Sequence, residues 1–264
     1  MKIRESTVAG MFYPGEPGRL RQLMSELFRN TSCDGDAAGV VSPHAGYVYS
    51  GKTSARAFAA FDEQFGGTFI VIGPSHRGFA TCMSQIPWET PLGLVEPDTE
   101  LGSLLDLPID ERAMSYGAEN SLEVQMPFIQ YRFPKSRVVP IMMGHQTLQE
   151  VHRISSLIIK ALKRYQKPVK IVASSDFSHY VPADKAYRDD HYAIEALLQM
   201  DVPEFFSRIQ SHEITACGYG PIGCMIETLK ALGKNQCELL EYTTSGEVSG
   251  DFDQVVGYAA LAVR

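Results

Sequence analysis

Thr68-Phe69-Ile70-Val71-Ile72 is an unbroken run rich in apolar side chains, and it stops at Gly73-Pro74-Ser75-His76. The run is too short for a helix, and continuous apolarity without polar alternation predicts a strand buried on both faces. Other stretches repeat the form. Val40-Val41 leads into Ser42-Pro43-His44-Ala45-Gly46-Tyr47, Val138 to Met143 leads into Gly144-His145, and Val169 to Ala173 leads into Ser174-Ser175-Asp176-Phe177-Ser178-His179.

Helical stripes lie between these runs. Pro17 opens a stripe of Leu20, Leu23, Met24, Leu27 and Phe28 that closes near Asn30, and Ser50 is placed to cap a helix with Ala55, Phe58, Ala59 and Phe61 inward. Asp98 caps a short helix through Leu105, and another carries Ser121 to Met126 towards Tyr131. The strongest stripe is Leu148, Val151, Ile154, Leu157, Ile158, Ala161, Leu162 and Tyr165. Helices are predicted over 183–199, 202–210 and 219–232, with strands near 236–243 and 254–263 and edge strands and loop over 80–95. Strands alternating with amphipathic helices imply βαβ crossovers. The expected architecture is α/β, one domain over 1–264, with a mostly parallel or mixed central sheet and helices on both faces.

Composition narrows the function. The 264 residues are 44% apolar and 21% charged, and 24 basic against 31 acidic side chains leave a net charge of −7. With no block of like charge, a nucleic-acid surface is not expected. No apolar run nears the ~18 residues that span a bilayer, and Met1-Lys2-Ile3-Arg4-Glu5-Ser6 lacks the core of a signal peptide, so no membrane role and a cytoplasmic location are expected. Cys33, Cys82, Cys217, Cys224 and Cys237 are odd in number and form no CxxC pair, which argues against a disulfide framework.

The recurrence of histidine after strands carries the functional argument. In an open parallel sheet the carboxyl ends of the strands share an edge, and ligands bind in the crevice outside it. His44, His76, His145 and His179 can therefore converge although they are far apart in the chain. Gly, Ser and Pro beside them allow sharp turns and leave the crevice open. Cys217 precedes a predicted helix, where free amides would stabilise its thiolate as a metal ligand or nucleophile. Asp176, three residues before His179, can orient an imidazole or cap the next turn.

Ser42 to Gly51, Gly73 to His76, Glu119 to Gln125, Ser174 to Tyr180 and Cys217 to Gly220 together resemble the Memo family, whose prokaryotic members are called AmmeMemoRadiSam system protein B. The likeness extends from Arg4 and Gly10-Met11-Phe12-Tyr13 to Tyr258-Ala259-Ala260. The family resembles in fold the LigB-type class III extradiol dioxygenases. That resemblance implies His44, His76 and Cys217 as metal ligands, Cys217 standing where the dioxygenases have glutamate, His179 as base, and Asp176 in the same pocket. It also implies Phe12 and Tyr49 at the pocket mouth. Asn120 stands where the family motif usually has histidine, and His145 has no counterpart.

Three readings follow. A His/His/Cys site would support a metal-dependent redox or dioxygenase-like activity; thiolate softens the site towards Cu(I), Zn(II) or a redox-active iron and away from ordinary ring cleavage, and iron or copper is expected ahead of zinc. An adaptor module would use the same pocket for a small-molecule, peptide or anionic ligand. Cys217 as a nucleophile with His179 and Asp176 would make a hydrolase. The prokaryotic resemblance also implies radical-SAM and AMMECR-type proteins as partners.

Overall fold

The computed structural model describes residues 2–29, 31, 35–117 and 119–264. Cys33, and Asn30 at the expected close of the first helix, lie outside the described residues. The strands are β1 (Gly39–Ser42), β2 (Thr68–Pro74), β3 (Cys82–Met83), β4 (Trp88–Thr90), β5 (Gly93–Val95), β6 (Arg137–Met143), β7 (Val169–Ser174), β8 (His179–Val181), β9 (Cys237–Thr244) and β10 (Val255–Val263). The main sheet runs β3-β6-β2-β7-β1-β10-β8, with β9 also paired to β10, while β4 and β5 form a separate hairpin. β6, β2, β7 and β1 are parallel and the flanking pairings are antiparallel. This is a single α/β domain with a mixed central sheet.

The apolar runs are continuous because successive side chains enter different cores. Ile70 and Ile72 pack with Ile154, Ile158 and Ile226 on one face, while Phe69 and Val71 pack with Phe58, Phe61 and Phe133 on the other. Helix Leu148–Leu162 buries Val151, Ile154, Ile158 and Ala161 on the first face. Each large apolar side chain so buried contributes about 1.5–3 kcal/mol against exposure. Helix Tyr47–Ala59 lies on the second face.

Several predicted ends shift. The helix expected from Ser50 starts at Tyr47 after Gly46, and Ser50 donates to the Ala45 carbonyl within the first turn instead of capping. Ser121 and Leu122 form a turn ahead of a 3-10 turn at Glu123–Gln125, and the α-helix is Met126–Arg132 with Pro127 in its first turn. Proline fits there because its missing N–H would have had no partner. Asp98 caps Thr99–Leu104 through Leu101 N–H, as its position predicts. Among the described residues no helix is long and apolar enough to cross a membrane.

Candidate functional site

β7 lies between β1 and β2, so the residues that follow these parallel strands gather at one edge. His44 follows β1 and His76 follows β2, and their rings meet edge to face with centroids 5.2 Å apart. Cys217 arrives from the loop before helix Tyr219–Ala231. Its amide donates to the Asp176 carbonyl at 3.2 Å, and the Gly218 amide donates to Ser175 Oγ at 2.9 Å. Gln146 secures the other side, donating to the Cys217 carbonyl at 2.7 Å and accepting from the Gly220 amide at 2.8 Å. Cys217 Sγ thereby stands 3.0 Å from His44 Nε2. One donor atom from each of His44, His76 and Cys217 lies within 4.8 Å of the other two.

Gly218 makes this approach possible. A Cβ there would sit 2.3 Å from the Ser174 carbonyl oxygen and 2.6 Å from Ser175 Cβ. Gly218→Ala is expected to lift the Cys217 loop from β7 and destabilise the fold by about 1–3 kcal/mol, the usual range for overpacking. Calorimetric melting checks this, and an unchanged transition would contradict it.

The donors differ in charge state. Burial holds His44 down to about 4, overcoming the opposite pull of the Asp176 carboxylate, so its ring is neutral at neutral pH. The Cys217 thiol is pushed well above its ordinary range, first by burial and then by the Asp176 charge. This corrects the expectation of a stabilised thiolate: desolvation and the Asp176 charge outweigh the hydrogen bonds that favour the charged form, among them one from the Asp176 amide at 3.3 Å. Burial also pushes Glu119 up, but hydrogen bonds from the His76 ring and amide override it and hold the carboxyl at about 2. Those bonds are 2.8 Å from Nδ1 and 2.7 Å from the backbone.

Asp176 and His179 do not pair with each other, although both lie within electrostatic range of His44. Asp176 Oδ1 accepts from the His44 amide at 2.7 Å. His179 Nδ1 instead meets the Thr215 carbonyl at 2.9 Å, and its amide donates to Thr215 Oγ1 at 2.7 Å. The cause is the turn between them. Phe177 and Ser178 bond to Gly257 of β10, and Ser178 Oγ donates to the buried Asp190 at 2.6 Å. Tyr242 donates to Asp190 as well, at 2.7 Å, and burial pushes this carboxyl up to about 6. With Cys217 facing His44 and Asp176 committed to a backbone amide, the Cys-His-Asp hydrolase arrangement is not formed. His145 is exposed at the end of β6 and stands outside the group. The loop after β6 does reach the site, through Gln146, while the His145 side chain beside it is exposed.

Phe12 and Tyr49 flank Gly46: a Cβ there would lie 3.9 Å from Phe12 Cα and 4.0 Å from Tyr49 Cδ2. The Phe12 carbonyl accepts from the Tyr47 amide at 2.7 Å. Asn120 donates to the His44 carbonyl at 2.9 Å, so this side chain braces the loop of one histidine.

A profile described as Memo-like protein matches residues 4–262. The chain belongs to the Memo family. A MEMO1 family protein of Methanococcoides burtonii is 45% identical over 269 residues, covering 99% of this chain and 100% of that relative. One of Methanosarcina barkeri is 42% identical, with coverage of 99% and 100%. One of Pyrobaculum aerophilum is 38% identical, with coverage of 99% of each chain.

In this Memo family member Glu119, Ser174, Gln125, Gln146 and Asp190 also hold the site, without roles that local sequence predicts. Glu119 and Gln125 lie inside a stretch that carries the family resemblance, and Ser174 lies at a strand end. Their roles depend on contacts that local spacing cannot specify. Cys82, Cys217, Cys224 and Cys237 are free thiols, and Cys82 and Cys224 are buried.

Proposed function

We propose that His44, His76 and Cys217 hold a redox-capable metal, iron or copper ahead of zinc, for a dioxygenase-like oxidation of a small molecule. The observation that supports this is the donor set, two imidazole nitrogens and a sulfur within 4.8 Å of one another. Metal bonds of ~2.0–2.3 Å to nitrogen and sulfur suit that spacing. Both Nδ1 atoms are engaged elsewhere, by Ser174 and by Glu119, which leaves the Nε2 atoms for coordination. A neutral His44 is ready to ligate, while Cys217 must release its proton. When bound, iron or copper supplies a Lewis acid and an electron source towards dioxygen.

The chain's own groups complete the reading. Thr215 O can only accept, so His179 carries its proton on Nδ1 and its Nε2 can take a proton from a substrate hydroxyl. Asp176 holds the His44 backbone, and Phe12 and Tyr49 form the aromatic side of the mouth. Asp176 and Glu119 are both acidic, which suits a cation and disfavours the anionic-peptide version of the adaptor reading. The reading extends to radical-SAM and AMMECR-type partners on the strength of family membership.

Anaerobic purification with metal analysis, followed by oxygen uptake with a panel of catechols, tests it. The expected result is near-stoichiometric iron or copper and metal-dependent oxygen consumption with a phenolic compound. Failure to take up Fe(II) or Cu(I) contradicts the metal site. Metal uptake without oxygen consumption contradicts the oxidase step and favours a binding module.

A further inference from the structure

Building on the metal-site reading, we propose that the buried Ser174 hydroxyl is a positioning group that selects the tautomer of His44, keeping its proton on Nδ1 so that the Nε2 lone pair faces Cys217. β7 places Ser174 between the two histidine-bearing strands, in register with Ser42 of β1. A hydroxyl has one proton and two acceptor sites, and each has an assigned partner here. The proton goes to the Ser121 carbonyl at 2.5 Å, which can only accept. One acceptor site takes the Gln125 amide at 2.8 Å. The other is left for His44 Nδ1 at 3.0 Å, which must therefore arrive as N–H.

Gln125 cannot be turned over to reverse this. Its Nε2 also donates to the Pro43 carbonyl at 2.9 Å, and a flipped amide would set oxygen against oxygen. The amide keeps this orientation although its Oε1 has no partner among the described residues. Glu119 acts on His76 in the same sense, because its carboxylate can only accept from Nδ1. Without such a contact an imidazole divides between two tautomers, one of which presents N–H where a ligand lone pair is needed. Cys217 also touches His44 Nε2, so the test must separate thiol from hydroxyl.

Full-length, metal-free protein with nitrogen-15 histidine is suited to long-range proton–nitrogen spectra. His44 is expected to be protonated at Nδ1 in the native chain, in Cys217→Ala and in Ser174→Thr, and mixed or Nε2-protonated in Ser174→Ala. With Zn(II) as probe, Ser174→Ala is expected to bind roughly 10–100-fold more weakly, the range for losing a partner of a metal-bound histidine, and Ser174→Thr is expected to recover most of that loss. A tautomer that changes in Cys217→Ala and not in Ser174→Ala overturns the proposal. So does weakened zinc binding in Ser174→Ala with His44 still protonated at Nδ1. Absence of zinc binding by the native chain overturns the metal reading instead, and the metal-free spectra still decide the role of Ser174.

Discussion

Cys217→Ala is expected to abolish high-affinity metal binding and, with it, the pH dependence of that binding. In the native chain burial and the Asp176 charge keep the thiol protonated well above its ordinary range. Each bound ion must displace that proton, so apparent affinity rises about tenfold per pH unit through neutrality. His44 adds no slope there, because burial holds it down to about 4 and the ring is already neutral. In the variant the slope flattens, and affinity falls by more than the roughly 10–100-fold lost when only an outer partner is removed. Zinc titrations by calorimetry in buffers of different ionisation heat count the protons released, and the native chain is expected to release one more than Cys217→Ala. Equal affinity and equal proton counts would show that sulfur is not a ligand.

The second large effect concerns stability. Arg4 and Glu123 form a fully buried ion pair at 2.6 Å, and the Arg4 guanidinium lies 3.9 Å above Trp88. Arg4 also donates to the carbonyls of Met114 and Glu119. Glu123 accepts in addition from the Thr7 and Val8 amides, at 3.0 and 2.9 Å, and from the Tyr13 hydroxyl at 2.7 Å. One carboxylate therefore ties the segment around residues 4–13, Phe12 included, to the turn that follows Glu119.

Glu123→Ala leaves a buried cation without its counter-charge and takes the carboxylate acceptor from the Thr7 and Val8 amides and the Tyr13 hydroxyl. Breaking a buried pair in this way costs about 3–5 kcal/mol, a large part of the ~5–15 kcal/mol that holds a domain folded. The expected fall in melting temperature is roughly 10 °C, with early loss of hydrogen-exchange protection at Val8 and Tyr47. Glu123→Gln, which keeps an acceptor oxygen, is expected to fall between. Burial raises the Glu123 carboxyl, yet Arg4 and the backbone donors hold it below the ordinary range. Its stabilisation is therefore present above that range and is lost as pH falls into acid. A Glu123→Ala variant that melts like the native chain would show that the clamp contributes little.

Much of the layout is legible in the chain. Phe69 to Ile72 must be a buried strand because it lacks polar alternation, and the helix after Thr147 follows from a single apolar stripe. His44, His76 and Cys217 could be singled out because each stands where a strand or helix meets a small-residue turn. His145 has the same local signature, yet its neighbour Gln146 is the side chain that reaches Cys217 while His145 is exposed, and which of two adjacent side chains faces the crevice is not written in the strand before them. The Asp176–His179 pairing also failed at this level. Spacing of three residues permits it, but Gly257 and Asp190 hold Phe177 and Ser178, the His44 amide holds Asp176 and Thr215 holds His179.

Periodicity and turn chemistry act over a few residues, and so the chain by itself determined the α/β layering, the buried parallel strands and the histidines at their ends. Which of those histidines share a point, which tautomer each adopts and whether the Cys217 thiol holds its proton were decided by tertiary structure. Hydrogen-bond partners and desolvation are set by groups brought together from remote positions, such as Cys217 against His44 across 173 residues.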